Sequence, residues 1–200
     1  MSRRLAQSLA VLLPLIAAGC ETAPPVQTTF PALHYDYLTP LHLNVASIDI
    51  EDRFVPAPGG PAALAPVPPI DGLRQMAQDR LMATGSSGRA VFVIEDASIV
   101  PVAGDGLSGT LAVRLEVMTG DGTRAGFAEA RVSRLVTGTG GDERAAVYDL
   151  VRRMMVDMNV EFEFQVKRTL RDWLQVTTTA PAPAAVQQQD LGPPSTTPVP

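Results

Sequence analysis

The residues able to do chemistry in this chain are few and loosely spaced. His34 and His42 stand upstream of an acidic group, Asp49, Glu51 and Asp52. An imidazole held by a carboxylate can work as a general base, so His42 with Asp49 or Glu51 is the pair a hydrolase would use. Within one strand that pair has no nucleophile beside it, and no Gly-x-Ser-x-Gly elbow occurs in the chain. His42 therefore reads as a strand-edge histidine. The three carboxylates could hold a cation, but alternating acids on a solvated strand face account for them equally. Zinc is poorly served: Cys20 is the only thiol, and no paired histidine spacing occurs. The segment Gly85-Ser86-Ser87-Gly88 follows a helical stretch and precedes a strand, the wrong order for a phosphate cradle. Gly138-Thr139-Gly140-Gly141 does precede a helix, yet no lysine follows it. Both read as connecting turns. The expectation is a protein without an active site, with no catalytic residue, no cofactor and no metal.

The elements around these residues follow from periodicity. Leu41, Leu43 and Val45 alternate with polar residues, and Ile48 and Ile50 resume the alternation after a shift at Ala46-Ser47, which predicts one strand over Leu41 to Phe54, bulged near Ser47. Asp71 to Thr84 carries Leu73, Met76, Ala77, Arg80 and Leu81 at helical spacing, with Asp71 as cap and Gly85 as stop. Arg89 to Val100, Leu107 to Met118 and Ala125 to Thr137 read as three strands of an antiparallel meander, with Gly120-Asp121-Gly122 turning the second into the third. From Asp142 a stripe of Val147, Leu150, Val151, Met154, Met158, Phe162, Val166, Leu170 and Trp173 predicts one long helix to Leu174. The order is β-α-β-β-β-α. That is an α+β fold: a mostly antiparallel sheet with two helices on one face and a long C-terminal helix.

Met155 and Phe164 fall off the main stripe of that last helix. Methionine and aromatic side chains suit adaptable contact surfaces, so these two are the candidate partner-binding residues.

Domain limits follow from composition. Residues 41–175 form a single domain, interrupted by a proline-rich loop at 56–69 that should run extended. Residues 20–40 precede it as a tether, rich in Pro and Thr up to about Pro31. Residues 176–200, with their Pro, Thr and Gln runs, should form a disordered tail. Sixteen Lys and Arg, two of them at positions 3 and 4, face 21 Asp and Glu. Such a balance argues against nucleic acid as a partner, because that binding is driven by basic patches.

The N-terminus carries the most specific signal. Arg3 and Arg4 precede an apolar run from Leu5 to Ile16, then come small residues, then Cys20. These are the parts of a secretory signal, and the run falls short of the roughly 20 residues needed to span a bilayer. Ile16-Ala17-Ala18-Gly19-Cys20 resembles the lipobox of bacterial lipoproteins, departing from it at Ala17, where leucine is commonest. The resemblance implies a signal peptide over 1–19, removed before Cys20, and a diacylglyceryl group on its thiol. The new amino group would be acylated as well, with palmitate as the implied chain. Two or more acyl chains make a stable membrane anchor where one does not. Glu21, rather than an aspartate, points to the outer membrane within that resemblance, with the domain facing the periplasm.

In its order of strands and helices, the stretch Leu41 to Leu174 resembles the auxiliary lipoproteins of ABC-type lipid or solvent transporters. That resemblance implies a non-enzymatic accessory or assembly component of a cell-envelope complex, with the membrane and envelope proteins as partners. Two other readings make different predictions. A carrier would hold lipid or another hydrophobic ligand between sheet and long helix. An envelope hydrolase would depend on Asp49 or Glu51.

Overall fold

The computed structural model describes residues 28–138 and 141–175. The signal segment, Cys20 and the C-terminal tail lie outside the described residues. Ten elements follow one another: β1 (Leu41–Leu43), β2 (Ser47–Asp52), α1 (Pro61–Leu64), α2 (Pro69–Arg80), β3 (Leu81–Ala83), β4 (Arg89–Val102), β5 (Gly106–Met118), β6 (Arg124–Thr137), α3 (Glu143–Thr169) and a closing 3₁₀ turn (Arg171–Trp173). The fold is α+β, as expected.

Four strands form the main sheet in the order β2-β4-β5-β6. The three long ones are the expected antiparallel meander, and β2 adds to β4 in parallel, Ser47 opposite Arg89 and Asp52 opposite Ile94. β4 carries a bulge between Ile94 and Asp96, which switches the side chains facing the core from Ala90, Phe92 and Ile94 to Ala97 and Ile99.

The predicted single strand over Leu41 to Phe54 is two strands in two sheets. β1 pairs in parallel with β3, and β2 pairs with β4. The irregularity at Ala46-Ser47 is the break between them. There Ala46 N–H bonds to the Gly88 carbonyl at 3.0 Å and Gly85 N–H to the Val45 carbonyl at 3.0 Å, so the two chain segments step from one sheet into the next together. The same pairing shortens α2. Its helical pattern continues to Thr84 in the sequence, but Leu81 to Ala83 leave the helix to satisfy the backbone of β1. At its other end Pro69 occupies the first turn, where its missing N–H costs nothing, and Asp71 sits inside that turn rather than capping it.

α3 begins with Asp142 as cap, its carboxylate accepting from Ala145 N–H at 3.0 Å. It ends at Thr169, short of the predicted Leu174. The chain then tightens into the 3₁₀ turn, whose Trp173 carbonyl accepts from Asn44 N–H at 2.8 Å, while Gln175 N–H reaches the His42 carbonyl at 2.8 Å. These bonds tie the end of the domain to β1.

The proline-rich stretch is not wholly extended. It holds the single turn α1, whose Ala62 is buried together with Ala65 just beyond it. Residues read as tether also pack onto the body. Tyr35 is buried, Leu33 and Leu38 rest on the core, and the Phe30 ring lies 5.3 Å from that of Tyr148, whose hydroxyl donates to the Pro31 carbonyl at 3.0 Å.

One core lies between the main sheet and the two longer helices. Phe92 of β4 meets Phe162 of α3 edge to face, with ring centroids 5.5 Å apart. Beside it Leu73 and Met76 of α2 pack with Met154, Met155 and Met158 of α3.

Candidate interaction surface

The residues singled out for chemistry are scattered across the fold. His34 is exposed on the N-terminal segment. His42 is in β1, in the small sheet, while Asp49 and Glu51 are in β2, in the main one. Each carboxylate of the acidic group has its own arginine: Asp49 with Arg89 at 3.9 Å, Glu51 with Arg53 at 3.1 Å, Asp52 with Arg74 at 2.5 Å. Arg74 also bonds Asp71, and these acids, Asp52 foremost, raise its pKa against the opposing effect of burial. Among the described residues no three His, Cys, Asp or Glu side chains converge as metal ligands would.

The solvent face of the main sheet is a lattice of ion pairs. Arg114 at its centre reaches Glu95 at 2.7 Å, Glu129 at 2.8 Å and Glu116 at 3.4 Å. Burial opposes its charge, yet Glu95, Glu116 and Glu129 together hold its pKa above the ordinary arginine value. An arginine ringed by three acids offers no charge to an anion. Val91, Val93 and Ala112 are covered beneath these side chains.

A second charged group is inside the protein. Arg80, at the end of α2, is 1% exposed. Its guanidinium donates to Asn159 Oδ1 at 2.8 Å, Glu163 Oε2 at 2.6 Å and the Thr39 carbonyl at 3.2 Å. Asn159 is itself buried and donates to the Met155 carbonyl at 2.9 Å. The cluster joins α2, α3 and the N-terminal segment, with each of the three guanidinium nitrogens of Arg80 donating to an oxygen. Its role is to fix the packing of the two helices. The sequence reading placed Arg80 in the apolar stripe of its helix, and a cation in such a stripe was the visible sign of a buried partner.

Met155 and Phe164 separate completely. Met155 is fully buried, its thioether against Gly72 of α2. It belongs to the core, which corrects its assignment to a partner surface. The helix has two apolar faces because it packs on α2 as well as on the sheet, and Met155 lies on the α2 side. Phe164 is 54% exposed and does lie at the surface. It is not alone there: Val156 and Val160, two turns and one turn earlier in the helix, are 54% and 69% exposed. Residues four apart share a face, so the three form one apolar row along the outside of α3. The row was legible as Val156, Val160 and Phe164 at four-residue spacing, but the stronger inward stripe masked it. Arg168 lies over the Phe164 ring, 5.9 Å from its centroid.

Two depressions flank α3. One of about 350 Å³ is lined by Gly59, Pro61, Leu64, Glu143, Arg144 and Val147, beside the first turn of the helix. Another of about 280 Å³ runs between the end of β6 and the flank of α3, from Val136 and Gly138 to Ala146, Asp149 and Arg153. No described helix is long and apolar enough to cross a membrane.

No family model matches the chain, and no curated protein matches it. Among solved structures it is similar to a Xanthomonas campestris protein of the family model DUF330, at 10% identity over 70% of this chain and 91% of that one, with a TM-score of 0.41. It is also similar to a minor lipoprotein of Acinetobacter baumannii, at 11% identity over 59% and 93% of the two chains, with a TM-score of 0.28. A PelC dodecamer from Paraburkholderia phytofirmans matches at 10% identity over 66% and 92%, with a TM-score of 0.27. Likenesses this distant carry no argument about what this chain does.

Proposed function

We propose that the protein is a lipid-anchored lipoprotein of a bacterial envelope, held to the outer membrane through Cys20, facing the periplasm, and acting without catalysis as an accessory component of an envelope complex. The anchor half of the reading rests on the leading segment, where a short apolar run ends in Ile16-Ala17-Ala18-Gly19-Cys20. The contact half rests on one structural observation, the exposed row Val156, Val160 and Phe164 on a helix whose sheet-facing and α2-facing sides are already packed. An aromatic and two branched aliphatic side chains in a row are a surface that gains from being covered. An ABC-type lipid transport assembly is the envelope complex that the sequence resemblance favours.

The carrier reading needs room between the sheet and α3. At Gly109 of β5 that space is filled: a Cβ added there would meet the Met154 thioether at 2.5 Å. A ligand could enter only by lifting the helix. The hydrolase reading needs a free carboxylate, and Asp49 and Glu51 each face an arginine.

The test has two arms. Cells fed radiolabelled palmitate should label the wild-type chain and not Cys20→Ala, which should also leave the membrane fraction. A photoreactive residue at position 164 should crosslink envelope proteins in intact cells, whereas one at the ion-paired position 114 should not. Palmitate on Cys20→Ala overturns the anchor, and a silent position 164 overturns the contact surface.

A further inference from the structure

The main sheet ends in an open edge. β6 is its last strand, 14 residues from Arg124 to Thr137, with β5 on one side and no strand on the other among the described residues. A long free edge is a template for another strand. What the strand would pair with is written in its own sequence. Glu129 and Arg131 flank Ala130 and share the solvent face of the sheet. If two copies of β6 pair antiparallel about Ala130, each Glu129 stands opposite Arg131 of the second copy, and this happens twice. Moving the symmetry axis one residue either way puts Glu129 on Glu129 or Arg131 on Arg131, and like charges directly opposite destabilise a sheet. The same register brings Phe127 diagonal to Leu135 of the second copy, within reach of an aromatic side chain. These two are 44% and 62% exposed in one copy alone.

The other face of the sheet agrees with that centre. α3 runs antiparallel to β6: Asp157 bonds Arg134 at 2.6 Å, and Leu170 lies against Gly126. Ala130 is midway between Gly126 and Arg134, and Phe164 is midway between Asp157 and Leu170 along the helix. Asp157, Val160 and Phe164 are spaced by three and four residues, so they lie on one flank, the flank that Arg134 touches. The apolar row therefore overlooks the open edge at the level of Ala130. The helix lies over β6 and also reaches β5, with Gly109 beneath Met154 and Leu150.

From these three coincidences we infer that the chain pairs with a second copy of itself through β6, in the register centred on Ala130. The result is one continuous eight-stranded sheet with the two α3 helices side by side across the axis. Charge complementarity selects the register, and the Val160–Phe164 flank of each helix covers that of the other. The proposal rests on reading that row as a contact surface and is independent of the lipid anchor.

Light scattering on the full chain extracted in detergent should give twice the chain mass once detergent is subtracted. Glu129→Arg and Arg131→Glu should each weaken pairing on the order of tenfold or more, and the double reversal should restore it. Glu129 also bonds Arg114, so its variant needs a circular dichroism check. Arg131, whose own contact with Asp96 is 3.8 Å, is the milder probe. Co-expressed Glu129→Cys and Arg131→Cys chains should form a mixed disulfide. A wild-type chain that stays monomeric at tens of micromolar overturns the proposal. So does a dimer indifferent to single reversals, or a folded double reversal that remains monomeric. If the chain is monomeric while position 164 still crosslinks other envelope proteins, self-pairing falls and the accessory reading stands.

Discussion

Arg80 is the residue whose environment most constrains the molecule. A guanidinium that is 1% exposed survives only because three oxygens receive it. Arg80→Ala leaves Asn159 without its donor and Glu163 without its partner, and should cost about 3 kcal/mol in urea unfolding, with an unchanged denaturant slope. Glu163→Gln should cost about 1 kcal/mol, because that side chain is partly in water. Hydrogen bonds from Lys167 first and then Arg80 hold the Glu163 pKa below the ordinary carboxylate value. A group whose pKa is lower folded than unfolded stabilises the fold above its unfolded pKa, and the contribution fades as pH falls through the folded value. The gap in melting temperature between wild type and Glu163→Gln should therefore be constant near neutrality and close below about pH 4. Tyr35 shows the opposite case. Its hydroxyl is buried without a hydrogen-bond partner among the described residues, and burial, ahead of its tyrosine and aspartate neighbours, raises its pKa. Removing a group that makes no bond removes only its desolvation cost, so Tyr35→Phe should be neutral or stabilising by up to about 1 kcal/mol.

At the scale of elements, close backbone approach decides where strands stop and helices settle. Gly88 has a φ of +74°, and a Cβ there would stand 2.5 Å from the Met118 carbonyl oxygen, next to where β4 and β5 part. Both obstacles are backbone, so Gly88→Ala should cost more than about 2 kcal/mol. Gly109 is a milder case, because the atoms a methyl would meet are the end of the flexible Met154 side chain. Gly109→Ala should cost about 1–3 kcal/mol, and Met154→Leu should change that cost, which a double-mutant cycle in urea would measure. Neither glycine could be assigned this way beforehand: each works against a residue distant in the chain. The split of Leu41 to Phe54 into β1 and β2 has the same origin. Local alternation looks identical whether one sheet or two receive it, and Leu81 to Ala83 abandon a helical pattern because β1 needs partners.

The described residues share one core, and the segments at both limits of the described residues pack onto it. Phe30 and Tyr35 cover one side, and the 3₁₀ turn bonds β1 on the other. Trp173, the one tryptophan of the chain, sits in that turn. Its fluorescence and the far-ultraviolet circular dichroism should therefore change at the same urea concentration. An earlier loss of fluorescence would mean that the C-terminal segment undocks before the core opens.

What the sequence determined by itself is what depends on local pattern. The meander β4-β5-β6, the long last helix and the α+β class all follow from periods of two and 3.6 residues. Phe164 at the surface was legible too, because it departs from the inward stripe. The tertiary structure alone decided that Met155 is core, since only the packing of α2 on α3 makes the second face of that helix an interior one. It alone supplied acceptors for Arg80 and the distant arginines that face Asp49 and Asp52. It also left β6 as an open edge beside the Val160–Phe164 flank. Burial, ion pairing and edges are relations between segments far apart in the chain, and a linear pattern records only half of each.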